Sequence, residues 1–241
     1  MHNFLNIVIP VYDEGENIKA VFQEIASRVI VSSRKFIIYD YEEDNTLPVV
    51  RSMMEGRGDI YLVRNKYGSG ALNAIKTGFE SINDGVVLVL MADLSDDYSK
   101  IDLMFNKINE GYDIVCGSRY MKGGEQAGGP IVKSFLSRMA GLSLYYLTGI
   151  PTHDVTNSFK MYTKRVLNDI RIESSGGFEL GFEILAKSFL KGYRITEVPS
   201  IWKDRRAGES RFKLWKWLPN YLHWYFYLIT NSLTIRKKSK T

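Results

Sequence analysis

Asp93 stands just beyond an unbroken apolar run, Val86-Val87-Leu88-Val89-Leu90-Met91, in the segment Met91-Ala92-Asp93-Leu94-Ser95-Asp96-Asp97. A carboxylate leaving a buried strand can hold a hard divalent cation against a diphosphate. Mg²⁺ needs only one or two protein carboxylates, because phosphate and water complete its shell. Asp93 and Asp96 are therefore the candidate ligands for Mg²⁺ or Mn²⁺, and capping of the helix that follows is their ordinary alternative. Asp40, with Glu42, Glu43 and Asp44, forms an acidic stretch after another apolar run. Its carboxylate can accept N–H groups of a nucleobase or ribose hydroxyls; a solvated turn would have the same composition. Gly68-Ser69-Gly70 opens a helical pattern, where backbone can approach a nucleotide at a helix N-terminus. Asp204-Arg205-Arg206-Ala207-Gly208-Glu209-Ser210-Arg211 is rich in guanidinium, which pairs bidentately with phosphate and keeps its charge.

These groups need a scaffold that brings them to one end. Residues 4–9 read as a strand, and Ile18, Val21, Phe22, Ile25 and Val29 recur at helical spacing. Strands follow at 35–39, 59–63, 86–91 and 112–116, separated by helical patterns at 71–79 and 101–108. The run at 86–91 is apolar on both faces, as a central strand of a parallel sheet requires. Alternation of strand and helix predicts a mostly parallel α/β sheet flanked by helices. In such sheets ligands sit beyond the carboxyl ends of the strands, where the acids named above fall. Further helices are expected at 131–148 and 178–190, and strands at 157–162 and 193–201. Gly123 to Gly129, with four glycines, reads as a mobile loop.

Composition excludes other classes. A net charge of +5 is modest, and its positive residues gather late in the chain, where they could meet nucleic acid, anionic lipid or a phosphorylated small molecule; no nucleic-acid partner is expected. The single cysteine, Cys116, excludes an internal disulfide, suits a reducing compartment and sits in a core-like run. The three histidines lack zinc-site spacing. The start of the chain has no signal-peptide pattern, so a cytoplasmic location is expected.

Taken in order, the motifs resemble family-two glycosyltransferases, most closely the dolichyl- or polyprenyl-phosphate mannosyltransferase-like branch. Ile7 to Glu14 is similar to the family's opening "VVIPVYNE", and Ala92-Asp93-Leu94 to its "DADLQ". Gly117-Ser118-Arg119-Tyr120 matches "GSRY", Asp154 to Lys160 resembles "DPTSGFR", and Gly192 to Arg211 resembles "G(Y/F)R…EVP…DRR.GESK". Met91 and Ser95 replace the family's usual first acid and glutamine.

The resemblance implies a GT-A type nucleotide-binding fold over residues 1–211, followed by a C-terminal amphipathic aromatic helix and basic tail over 212–241. It implies inverting transfer of a sugar from a nucleotide-sugar donor to a polyprenyl phosphate. Pro10, Tyr12, Glu14, Asp40, Gly68, Gly70, Asp93 and Arg211 would bind the donor. Asp93, Asp96, Arg119, Arg205 and Arg206 would serve catalysis, and Arg119, Lys133, Arg138 and Ser158 the acceptor. A lipid phosphate is already an anion and needs no strong base. A glycan or glycolipid hydroxyl, as in surface-polysaccharide assembly, would need one, with Asp96 or Asp97 first in line. Loss of the acid at Met91 also raises a third alternative, a degenerate transferase-like binding protein.

Between Lys216 and Arg236 the chain carries no charged side chain, but Pro219, Asn220, His223 and Asn231 interrupt it. Its Trp and Tyr residues, flanked by basic ones, suit a membrane interface better than a span. The expectation is peripheral association with a membrane surface. Packing on the domain, or in a homo-oligomer interface, is the competing placement.

Overall fold

The computed structural model describes residues 2–204 and 214–238. A seven-stranded sheet runs in the order β3-β2-β1-β4-β7-β5-β8. Its strands are β1 (Leu5–Pro10), β2 (Ser33–Tyr39), β3 (Ile60–Arg64), β4 (Val86–Val89), β5 (Ile114–Ser118), β7 (Lys160–Thr163) and β8 (Ile195–Pro199). All neighbours pair parallel except β7, which runs antiparallel between β4 and β5. The chain therefore enters β7 at the end where it leaves the other strands.

Side chains alternate across this sheet and build a core on each face. Leu5, Ile7 and Ile9 of β1 and Val86 and Leu88 of β4 join the first core, with α1 (Ile18–Arg28), α2 (Thr46–Met54) and α4 (Ile101–Asn109). Val8, Val87 and Val89 face the second core, covered by α3 (Ala71–Glu80), α5 (Ile131–Thr148), α6 (Lys164–Asp169), α7 (Leu180–Leu190) and α8 (Leu214–Lys238). Gly78 lets α3 lie directly on β1, since a Cβ there would stand 2.4 Å from Val8 Cγ1.

Two expectations change, and one of the two placements open to the C-terminal helix is observed. Residues 123–129 are not a loose loop: β6 (Glu125–Ala127) pairs in parallel with β9 (Ile201–Lys203) in a second, two-stranded sheet. Gly124 is required there, because a Cβ would fall 2.2 Å from the Ser118 carbonyl oxygen. The acidic stretch after β2 is only partly a solvated turn. Asp44 is buried and accepts hydrogen bonds from the Asp13 and Thr46 amides (3.2 and 2.8 Å), joining the β1 exit to the start of α2. Finally, α8 does pack on the domain. Trp224 and Leu228 are buried, Trp224 Nε1 donates to Ser174 Oγ (3.0 Å), and Asn220 donates to Glu179 (3.3 Å). No described helix is long and apolar enough to cross a membrane.

Candidate active site

The carboxyl ends of β2, β1 and β4 lie side by side, so the exits carrying Asp40 and Asp93 flank that of β1, about 10 Å apart at ordinary strand spacing. Pro10 ends β1, and Tyr12 is exposed beside it, with its ring edge-on to Tyr41 at 5.4 Å. The Glu14 amide donates to Thr46 Oγ1 (2.9 Å), holding this exit against α2. Asp40 accepts from Asn65 Nδ2 (2.8 Å) and from the Gly70 amide (2.9 Å). Asp40, Gly68 and Gly70 thus form one unit. Gly68 and Gly70 adopt φ of 85° and 121°, values that side chains resist, which is why glycine serves here.

The acidic segment after β4 turns sharply. Asp93 Oδ1 accepts from the Ser95 amide and hydroxyl (3.1 and 2.6 Å), and Leu94 between them has φ 60°. A leucine in the left-handed region costs about 1 kcal/mol or more and persists only where its surroundings insist. Asp96 is buried and accepts from the Met91 amide (3.3 Å), so its carboxyl lies against the position where the resemblance leads one to expect an acid. Burial, and then the charge of Asp93, raise its pKa to about 7. Asp97 does cap the turn that follows, through Ser99, and also accepts from the Ile201 amide (3.2 Å). With Lys203 N–H donating to the Ser95 carbonyl (3.0 Å), β9 is tied to the acidic turn. Arg205, Arg206 and Arg211, which follow β9, lie outside the described residues.

Asp93 and Asp96 suit a divalent cation on the chemistry of the pair. Two hard carboxylates come together, one ionising reluctantly because it is buried beside the other, and a cation would relieve that cost. The proton linkage has a definite sign. With a folded pKa of about 7 against an ordinary 3.8, Asp96 stabilises the folded state fully below that lower value. The contribution is lost as pH rises through 7. Asp96→Asn, which keeps an acceptor for the Met91 amide, should raise the melting temperature of chelator-treated protein near pH 8, by up to about 4 kcal/mol in stability. Near pH 4 the gain should vanish, and thermal unfolding at both values measures it.

The exit of β5 carries Arg119, only 8% exposed. Its Nε and Nη2 donate to Asp154 (2.7 and 2.9 Å), and Nη2 also reaches Ser137 of α5 (3.0 Å) and Thr156 (2.9 Å). Burial alone would lower the Arg119 pKa; the charge and hydrogen bonds of Asp154 more than reverse this. Burial would likewise raise Asp154, and Arg119 holds it below the ordinary carboxylate range. The guanidinium charge is balanced inside the protein, and Arg119 braces α5, the 152–158 turn and the β5 exit. Ser158 lies half-buried in the approach to β7, between the exits of β4 and β5, while Lys133 and Arg138 lie on α5.

Residues 6–171 match the family model for glycosyl transferase family 2. The chain belongs to that family. As a member of glycosyl transferase family 2, it is 26% identical over 215 residues to a dolichol-phosphate mannosyltransferase of Pyrococcus furiosus, covering 87% of this chain and 59% of that protein's length. It is 27% identical over 211 residues to a dolichyl-phosphate hexose transferase of Haloferax volcanii, covering 86% of each. Its GT-A fold matches the crystal structure of glucosyl-3-phosphoglycerate synthase from Mycobacterium tuberculosis in complex with Mn²⁺, uridine diphosphate and glucosyl-3-phosphoglycerate. That likeness has a TM-score of 0.64 at 15% identity, over 97% of this chain and 79% of the other.

Several residues of this family-two site were not singled out from the sequence for the roles they fill. Ser137 and Thr156 complete the Arg119 cluster, and no periodicity marks them. Glu197 accepts from the His153 amide (2.7 Å) and Thr152 hydroxyl (3.0 Å), and His153 stacks on Tyr145 of α5. The "EVP" resemblance was the available signal for Glu197. A cavity of about 520 Å³ at the opposite, amino end of the strands is lined by His2, Asp84, Asp113, Lys164 and Arg165. Asp113 pairs there with Arg165 at 2.5 Å, far from the family's acids.

Proposed function

We propose that this glycosyltransferase moves a sugar, with inversion, from a nucleotide-sugar donor to a polyprenyl phosphate. The observation that carries the reading is the strained Asp93–Ser95 turn with Asp96 beside it. It lies next to the Asp40–Gly70 unit, in a chain that aligns with most of a dolichyl-phosphate hexose transferase. Asp40 holds the glycine turn so that its backbone and the start of α3 meet the nucleotide, and Pro10, Tyr12 and Glu14 form the adjoining wall. Asp93 and Asp96 would hold Mg²⁺ or Mn²⁺, which when bound neutralises charge on the nucleoside diphosphate. Arg205, Arg206 and Arg211 share that task as cations. Arg119 acts as a positioning residue that fixes α5 and the turn carrying Ser158, while Lys133 and Arg138 attract the anionic acceptor. The enzyme works at a membrane surface, which it meets through α8.

Transfer to a glycan or glycolipid hydroxyl is the second reading. One observation favours it: Asp96 is buried beside the Asp93 carboxylate, a setting that raises its pKa and makes it a better proton acceptor toward a hydroxyl than an ordinary carboxylate wherever it does not hold the cation. The full chain should be given a panel of nucleotide sugars with Mn²⁺ and either a short-chain polyprenyl phosphate or the matching alcohol. Sugar should pass to the phosphate alone, and chelator should suppress transfer. Equal transfer to the alcohol would overturn the lipid-phosphate reading.

A further inference from the structure

The acids at the exits of β1 and β2 are engaged by the protein itself. Asp40 commits one oxygen to Asn65 and the other to the Gly70 amide, and Asp44 takes the amides of Asp13 and Thr46. Glu42 accepts from Tyr39 Oη (3.0 Å) and from Arg51 (3.3 Å). Few carboxylate lone pairs are left to read the hydrogen-bonding edge of a base. What these two exits do present is a pair of aromatic rings. Tyr12 is 42% exposed, and its ring meets that of Tyr41 at 65° with centroids 5.4 Å apart.

A strained residue holds the pair. Asp13 has φ 56°, in the left-handed region that side chains seldom adopt, and stands where the pattern "VVIPVYNE" has asparagine. Its amide is fixed on Asp44 (3.2 Å), and its carboxylate accepts from Tyr41 Oη. That bond raises the Tyr41 pKa, so the hydroxyl keeps its proton and remains a donor. Backbone strain persists where its surroundings insist on it, and ligand clamps are a common place. Asp13 thus anchors Tyr41 at the tip of its side chain, and Tyr41 in turn meets Tyr12. Rings fixed in advance lose less freedom when a ligand arrives.

Two rings at this angle form a corner that takes a flat heteroaromatic ring against the face of one and the edge of the other. Such stacking tolerates any base, because every base has a π-face. Tyr12, Asp13 and Glu43 are exposed, so the corner opens at a rim where the described residues set no wall against a purine.

We propose, resting on the nucleotide-sugar reading, that Tyr41 anchored by Asp13 is a specificity-determining residue for the donor. With Tyr12 it holds the base by its face, so pyrimidine and purine nucleoside diphosphates are both accepted.

Calorimetric titration of the full chain with uridine diphosphate, guanosine diphosphate and pyrophosphate, each with Mg²⁺, tests it. The two nucleotides should bind within about tenfold of one another, and both more tightly than pyrophosphate, which has no base to stack. Tyr41→Ala should weaken both nucleotides about tenfold, the scale of one lost base–aromatic contact, and leave pyrophosphate unchanged. Asp13→Gly suits φ 56° but releases Tyr41, and should weaken both nucleotides by a smaller factor. Circular dichroism checks that each variant is folded. A preference of about a hundredfold for one nucleotide would show that the base is read at its edge, and would overturn the proposal. Unchanged nucleotide binding by folded Tyr41→Ala and Asp13→Gly would overturn it as well. Pyrophosphate binding as tightly as both nucleotides would remove the corner and leave the diphosphate site standing. Binding of none of the three would sink the nucleotide-sugar reading itself, and the proposal with it.

Discussion

Asp93→Asn should lower sugar transfer by about 10³-fold while leaving the melting temperature nearly unchanged, a loss on the scale seen when one electrostatic contact to developing charge is removed. The two readouts separate because of the turn. Asp93 Oδ1 accepts from the Ser95 amide and hydroxyl, and the amide oxygen of asparagine can accept the same two bonds. The turn and the left-handed Leu94 are thereby kept, while the charge that would face a cation is gone. Asp93→Ala should lose activity to the same extent and some stability as well, since it also removes the acceptor that closes the turn. Initial rates with saturating donor, set beside thermal unfolding of both variants, check this. Retention of most activity by the asparagine variant would remove Asp93 from the centre of the site.

The second large effect concerns stability. Asp154→Ala should destabilise the protein by about 3–5 kcal/mol, because it strands a buried guanidinium without its counter-charge. For a chain of this size the melting temperature should fall by roughly 10 °C. Asp154 also accepts from the Arg119 amide (3.1 Å) and the Asn157 amide (3.1 Å), so its loss leaves backbone donors unpaired too. Replacing both partners, with Arg119→Met and Asp154→Leu, should recover only part of the loss: the buried charge disappears, but those amides still lack acceptors. Thermal unfolding of the two single variants and the double variant measures the coupling directly.

How far these residues were legible depends on the reach of their partners. The doubly apolar run ending at Met91 marked β4 as a central strand, and the helical pattern at 131–148 has the bounds of α5. Both patterns repeat within a few residues, so neighbouring side chains suffice to reveal them. Helix α2 was hidden because Pro48 and the acidic stretch obscure a helix of nine residues. The antiparallel direction of β7 has no local signature either, since a strand carries the same alternation whichever way it runs. Strands β6 and β9 are three residues each and find one another across more than seventy positions; the glycines flanking β6 read locally as a mobile loop, and the distant pairing overrides them.

The alternating α/β plan, the family, and the placing of Asp93 at a strand exit are written in local pattern, because periodicity and residue type act over short range. How the charges are used depends on contacts between distant segments. Asp40 is turned onto Gly70, Asp44 is buried under the β1 exit, and Asp96 is pressed against Met91. Arg119 is taken up by an aspartate thirty-five residues away. A charge in a sequence is a capacity to pair, and which partner it takes depends on where the fold brings distant segments together and how much water it leaves between them.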